Sequence, residues 1–326
     1  MGNTVIIVIF NFICIIYCMA EILESAFSLS LYLITGIVIV LLFAKSGMKD
    51  ITEKVFKFVF FSLALPALFF VEILNPYYME TSISFFVTVF LLTLIILASS
   101  FLSVFILKFT VRKELFNDLA VLMVLPNVFM IPILYIYNEY GSSNSMMSIY
   151  SFFSILFLPI YYSVLFLFKR INNPSEVFKR TFSFLFISQL TGFVLLVFSI
   201  QNNFPWILYT QIRTLQILVV PIIIFLLGFY FVESMKHLKK TNFLNVGIFI
   251  LLRQVLIPLF SFILIYLFNI EYKFASVIII LSSCPASPFI DFKEEHSDLK
   301  KQIFFYSTVS SLVLIPLAFF FLGLIY

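Results

Sequence analysis

Hydrophobic residues run along this chain in long blocks, parted by short polar stretches. Eleven blocks can be marked, at 4–20, 28–44, 54–74, 82–107, 115–137, 145–168, 181–200, 205–232, 243–269, 274–291 and 302–325. Each is long enough to cross a hydrocarbon core of roughly 30 Å as a helix. The pattern predicts an all-α polytopic membrane protein, and no soluble domain fits between the blocks.

Two blocks interrupt their own pattern. "VLPNVFMIP" at 124–132 carries Pro126, Asn127 and Pro132, and "SSCPASPFI" at 282–290 carries Pro285 and Pro288. Proline has no amide donor, so Pro132 leaves the carbonyl of Val128 free and Pro288 leaves that of Cys284 free. In lipid such groups survive only where protein or a wet cavity covers them. Both interruptions fall near the middle of their blocks, which predicts two broken helices with half-helix N-termini at membrane depth. Simple proline kinks, as expected at Pro66, Pro221 and Pro258, are the alternative.

Punctuating residues also recur at a nearly constant offset. Gly36 pairs with Gly192 at 156 residues, Pro66 with Pro221 at 155, Pro126 with Pro285 at 159, and Pro159 with Pro316 at 157. "SILFLP" at 154–159 matches "SLVLIP" at 311–316. Each copy holds five blocks, and an odd number per copy forces opposite orientations. The expected fold is a ten-helix body of two inverted five-helix repeats, 28–170 and 171–326, with two broken crossing helices. Residues 1–27 form an extra N-terminal hydrophobic segment. That segment lacks the positive n-region of a signal peptide and is expected to stay as a helix, although Cys18 and Ala20 before Glu21 would suit a cleavage site.

Composition agrees: 63% of the 326 residues are hydrophobic and 11% charged, against roughly a quarter charged in soluble domains. Seventeen of the twenty Lys and Arg sit in alternate loops near 47, 110, 174, 238 and 296, while Glu21, Glu24, Glu72, Glu80, Glu139 and Glu271 mark the other set. By the positive-inside rule the basic loops are cytoplasmic and the C-terminus lies outside a plasma-type cell membrane. The net charge of +4 follows from this topology, so no nucleic-acid partner is expected. The three cysteines lie in apolar blocks, and the two histidines, His237 and His296, lie in short loops without ligand spacing. Neither a disulfide framework, a metal site nor a cofactor is expected.

From about residue 28 onward the chain resembles the auxin efflux carrier family, within a wider group of ten-helix secondary transporters that includes bile-acid symporters. The resemblance rests on the order and spacing of "LITGIVIVLLFAKSGM", "LALPALFF", "LPNVFMIPI", "VVPIIIFLLG", "LLRQVLIPL", "SSCPASPFI" and "STVSSLVLIPL". It implies crossed, unwound helices as the substrate site and movement of organic anions such as auxin-like acids or dicarboxylates. The family usually has Asn seven residues before the first crossing proline and Gly two before it. Here Leu125 and Met130 hold those places, and Asn127 lies five before Pro132. After the proline–alanine pair this chain has Ser287, Pro288 and Phe289, so substrate identity does not carry across.

Among polar residues, Arg253 lies about ten residues into its block, at a depth costly for a charge by about 2.5 kcal/mol or more. It either attracts an anion or snorkels to the cytoplasmic headgroups. Arg213 reads as an interfacial anchor. Asn127, Ser283 and Ser287 beside the breaks suit hydrogen bonding to a carboxylate, and with Pro132, Cys284, Pro285, Pro288 and Arg253 they make up the expected substrate site. Every acidic residue falls near a block end or in a loop, with Asp291 at the end of the second broken block the nearest exception. An exchanger built on a buried carboxylate pair is thereby disfavoured. An intramembrane enzyme is disfavoured for want of paired carboxylates, a Ser–His pair or a His cluster at depth.

The reading is a permease that moves small organic anions by alternating access, with no enzymatic activity. A cation-coupled symporter of the bile-acid type and a non-transporting sensor are the alternatives. The partners expected are the anion, the lipid bilayer and a coupling proton or sodium ion, with homodimerisation left open.

Overall fold

The computed structural model describes the backbone of residues 2–45, 49–74, 83–125, 127–141, 145–168, 171, 173–200, 204–238, 243–289 and 297–326, with side chains except at 2–19, 21–22, 44–45, 49–50 and 83. Pro126, Asp291, His296, the thiols of Cys14 and Cys18, and the loops near 47 and 296 lie outside the described residues.

Apolar blocks without backbone punctuation become uninterrupted helices. α1 runs from Gly2 to Lys45 as one helix of 44 residues, so the expected division between 4–20 and 28–44 is not a division of the backbone. Glu21 and Glu24 interrupt the hydrophobic run, but each keeps its amide donor and Cβ, and the helix continues through them.

Prolines act where they remove donors. α2 (Lys49–Val59) passes through a π-helical turn, Phe60–Ala64, into α3 (Leu65–Leu74), whose second residue is Pro66. Further on, α12 (Phe243–Ile250) passes through Leu251–Leu256 into α13 (Ile257–Phe268), whose second residue is Pro258. In both cases the turn widens just ahead of the ring, which relieves its clash with the carbonyl four residues back. Between these lie α4 (Ile83–Thr110), α5 (Lys113–Val124), α6 (Ile131–Tyr140) and α7 (Ser145–Leu167). They are followed by α8 (Pro174–Thr181), α9 (Phe184–Val197), α10 (Trp206–Gln216) and α11 (Val219–Met235). Asn173 caps α8 by accepting the Ser175 amide at 2.9 Å, and α8 meets α9 at a 57° bend. α14 (Tyr272–Ser283) and α15 (Ser297–Gly323) complete the chain.

Every described element is a helix, and among the described residues seven spans are long and apolar enough to cross a membrane, or eight if the bent pair α8–α9 counts as one. The surface agrees with a multi-pass membrane protein: Phe27, Ile34 and Leu42 on α1 and Leu244 and Leu267 on α12 and α13 are exposed, whereas the interior holds many serines. Ser261 on α13 reaches the Ser99 hydroxyl on α4 at 3.4 Å, a polar link of the kind that joins helices in lipid.

Two long crossings frame the bundle. α1 packs along α11, and α3 packs along α9. Gly36 and Gly228 bring the first pair into backbone contact, since a Cβ on Gly228 would lie 2.2 Å from the carbonyl carbon of Gly36. Gly192 lets α9 approach α3, where a Cβ would stand 3.3 Å from Ile73. Inside this frame, α14 is buried from Phe274 to Ser283 and α5 from Asp118 to Val124. α3 is buried along its whole length.

Candidate functional site at two helix breaks

α5 stops at Val124, and the helix resumes as α6 at Ile131. Asn127 organises the gap, with its Oδ1 accepting the Met130 amide at 3.2 Å. Pro132 occupies the first turn of α6, where amides have no intrahelical acceptor, so a residue without a donor fits there. The positive end of α6 thus opens on the break.

α14 stops at Ser283, and Cys284 leaves it in extended conformation, φ −65° and ψ 147°. Residues 284–289 are non-helical. Ser287 Oγ accepts the Phe289 amide at 3.3 Å, and the Ala286 amide donates to the Ser307 hydroxyl on α15 at 3.2 Å. The half-helix expected beyond Pro288 falls in 290–296, outside the described residues. Among the described residues, the second break presents the carbonyl, negative end of α14.

The two breaks touch. The Asn127 amide donates to the Pro285 carbonyl at 3.0 Å, a main-chain bond that neither helix could make if continuous. Asn127, Ser283, Cys284 and Ser287 are all buried.

Arg253 joins them from the π-helical turn between α12 and α13. It is fully buried at 0% exposure, and Nη2 donates to the Leu281 carbonyl in the last turn of α14 at 2.9 Å. Its head is held inside the protein rather than drawn to the surface. A cation suits a helix C-terminus, but one carbonyl satisfies only one of five guanidinium donors. Nε and Nη1 have no partner, and among the described residues no carboxylate is paired with Arg253. Next to it, Gln254 Nε2 donates to the Ser307 carbonyl at 2.7 Å, and the Ser310 hydroxyl donates to Gln254 Oε1. Arg213, by contrast, is exposed.

Other buried polar atoms here also lack partners: Nδ2 of Asn127, Oγ of Ser283 and Oη of Tyr150. Arg253 and Tyr150 both lie within electrostatic range of Cys284. Buried polar groups in native proteins are ordinarily satisfied. A guanidinium, an amide N–H₂ and hydroxyls left without acceptors are the kinds of group that bind an anion. Aromatic rings pack against the end of the second break: Phe289 meets Phe61 with centroids 4.9 Å apart and Tyr230 at 5.5 Å, and Lys57 Nζ sits 5.0 Å over the Tyr230 ring.

Three features escaped the sequence reading. Ser307 supports the second break from α15, and only its place in "STVSS" hinted at a polar helix face. Tyr150 is an ordinary aromatic in an apolar block. The third corrects an expectation: Glu72 and Asp118, which fall near the ends of their sequence blocks, are both buried at 1% exposure, Glu72 in the enclosed last turn of α3 and Asp118 midway along α5. Elsewhere, His237 on the loop after α11 meets the Asp298 carboxylate at 2.7 Å, tying α11 to α15.

No family model matches the chain, and no curated protein matches its sequence.

Proposed function

We propose that this protein is a secondary transporter that moves small organic anions across the cell membrane by alternating access, with the two touching breaks as its substrate site. The observation that carries this reading is Arg253: a fully buried guanidinium with two unpartnered donor nitrogens and, among the described residues, no carboxylate paired with it. An unpaired charge at membrane depth is costly. A carboxylate substrate supplies the missing counter-charge, and the unpartnered atoms of Asn127, Ser283 and Tyr150 give its oxygens further donors.

The proposed architecture is the ten-helix inverted repeat, in the manner of the auxin efflux carriers the sequence resembles. Seven spans, the bent pair α8–α9 and the broken segments α5–α6 and α14 make ten. Their packing is reciprocal. The first span of one half, α1, lies on α11 of the second span in the other half, and the first span of that half, α9, lies on α3 of the second span in the first. Gly36 and Gly192, matched by the offset in sequence, each sit at one of these crossings. A pseudo-two-fold axis in the membrane plane would produce this exchange. Rocking of the α1, α3, α9, α11 frame against the group bearing the breaks would open the site to one side and then the other. The basic loops support cytoplasmic placement of their side and an outward C-terminus.

Purified protein is titrated with a panel of mono- and dicarboxylates, and thermal stabilisation is read as ligand binding. A stabilising acid is expected whose uncharged amide does nothing. Arg253→Gln should weaken its binding by at least tenfold, and Arg253→Lys by less, because a positive charge remains at depth. A folded Gln variant that binds the acid as well as wild type would remove Arg253 from the site and this reading with it.

A further inference from the structure

The carboxylate of Glu72 takes no part in the site at the breaks, yet three other helices close over it. From α10, Gln216 Nε2 donates to Oε1 at 2.9 Å. From α7, the Ser148 hydroxyl donates to Oε2 at 3.5 Å. From α6, the Tyr137 hydroxyl oxygen accepts from the same Gln216 Nε2 at 3.2 Å. All these partners are neutral. Among the described residues no Lys, Arg or His forms a salt bridge with Glu72, and the cation whose field reaches it, Arg213 on α10, is exposed.

Neutral donors at a single layer do not offset the desolvation of a full negative charge, so a carboxylate enclosed in this way calls for a positive partner. The groups around it can supply a bed for one. Two carboxylate oxygens, the hydroxyls of Ser148 and Tyr137, and the amide oxygen of Gln216 after a half-turn of its terminal bond are all hard oxygen donors. We propose that Glu72 binds a coupling monovalent cation, a single positive charge carried either by a proton or by Na⁺. This rests on the transporter reading above and names the driving ion's site.

The geometry also says how such a cation would be felt at the breaks. Tyr137 and the N-terminal residue of α6, Ile131, lie on one short helix, so they are separated by about 9 Å of helical rise. α6 is a rigid rod with the first break at one end and the Glu72 cluster at the other. Gln216 and Glu72 belong to α10 and α3, which pack together, whereas Tyr137 and Ser148 belong to α6 and α7, which also pack together. A charge added at Glu72 changes the contact between these two pairs, and α6 carries that change to Asn127. Two sites that bias one movable element are coupled in both directions.

Two measurements on the full-length purified protein, neither containing an organic anion, test the site. Saturable binding of radioactive sodium that disappears in Glu72→Gln assigns it to Na⁺. A protonated-carboxyl band in the infrared spectrum that disappears in Glu72→Gln assigns it to a proton. Gln216→Leu, which keeps the carboxylate and removes its main donor, should change sodium affinity by about tenfold or displace the carboxyl band. This second variant keeps the test decisive if Glu72→Gln folds poorly. Arg253→Gln should leave either signal in place while losing the acid, so failure of the anion reading is told apart from failure here. Absence of both signals in wild type, or their persistence in a folded Glu72→Gln protein, would make Glu72 a permanently ionised bracket between helices and overturn the proposal.

Discussion

The two helix breaks meet at one hydrogen bond, but they are supported in different ways. At the first, the support is local: Asn127 accepts the Met130 amide three residues on, and α6 restarts at once with Pro132 in its first turn. At the second, the support comes from elsewhere in the chain. Ser307 on α15 accepts the Ala286 amide, and Arg253, 28 residues upstream, binds the Leu281 carbonyl. The first break is held by a local bond, whereas the second adds to its own Ser287–Phe289 bond two supports from neighbouring helices. A break of the second kind can be loosened or tightened by movement of adjacent helices, while the first can travel as a unit.

This difference has measurable consequences. Ser307→Ala should have the largest effect, since it leaves the buried Ala286 amide without an acceptor at a cost of about 2 kcal/mol. The midpoint of thermal unfolding in detergent would fall, and hydrogen exchange would quicken at 284–289 while staying slow at 125–130. Asn127→Ala removes a local cap and should cost about 1 kcal/mol, with faster exchange confined to 127–131. Equal losses, or exchange that spreads across both breaks in both variants, would mean that they form one cooperative unit. The smallest effect is expected from Pro132→Ala, within about 0.5 kcal/mol of wild type, because an amide restored in the first turn of α6 has no helical carbonyl to reach. A marked gain in stability there would show that the proline strains a helix which would otherwise continue across the break.

The first break was the more legible in sequence for the same reason. A short polar residue between two prolines acts on amides a few positions away, so Asn127 could be picked out without knowing the fold. Ser283, Cys284 and Ser287 were found by their place beside Pro285 and Pro288, and Arg253 by its charge in an apolar block. Ser307 and Tyr150 carry no such mark, because their importance lies in what stands opposite. Glu72 does lie near a block end, but that position did not reveal its burial, because α7 and α10 supply the groups that cover it there. α1 shows the reverse error, in which a pair of acidic residues was taken as a loop although nothing in the backbone there resists a helix.

Hydropathy, charge alternation and missing amide donors are properties of the residue itself and of the solvent it must face, and from them the chain's own order already dictates membrane-spanning helices and the location of both breaks. Which face of each helix turns inward, which carbonyl receives Arg253 and which neutral groups surround Glu72 are set by packing between elements far apart in sequence. A buried charge is tolerated or exploited according to the partners that packing brings to it, and no residue carries that information alone.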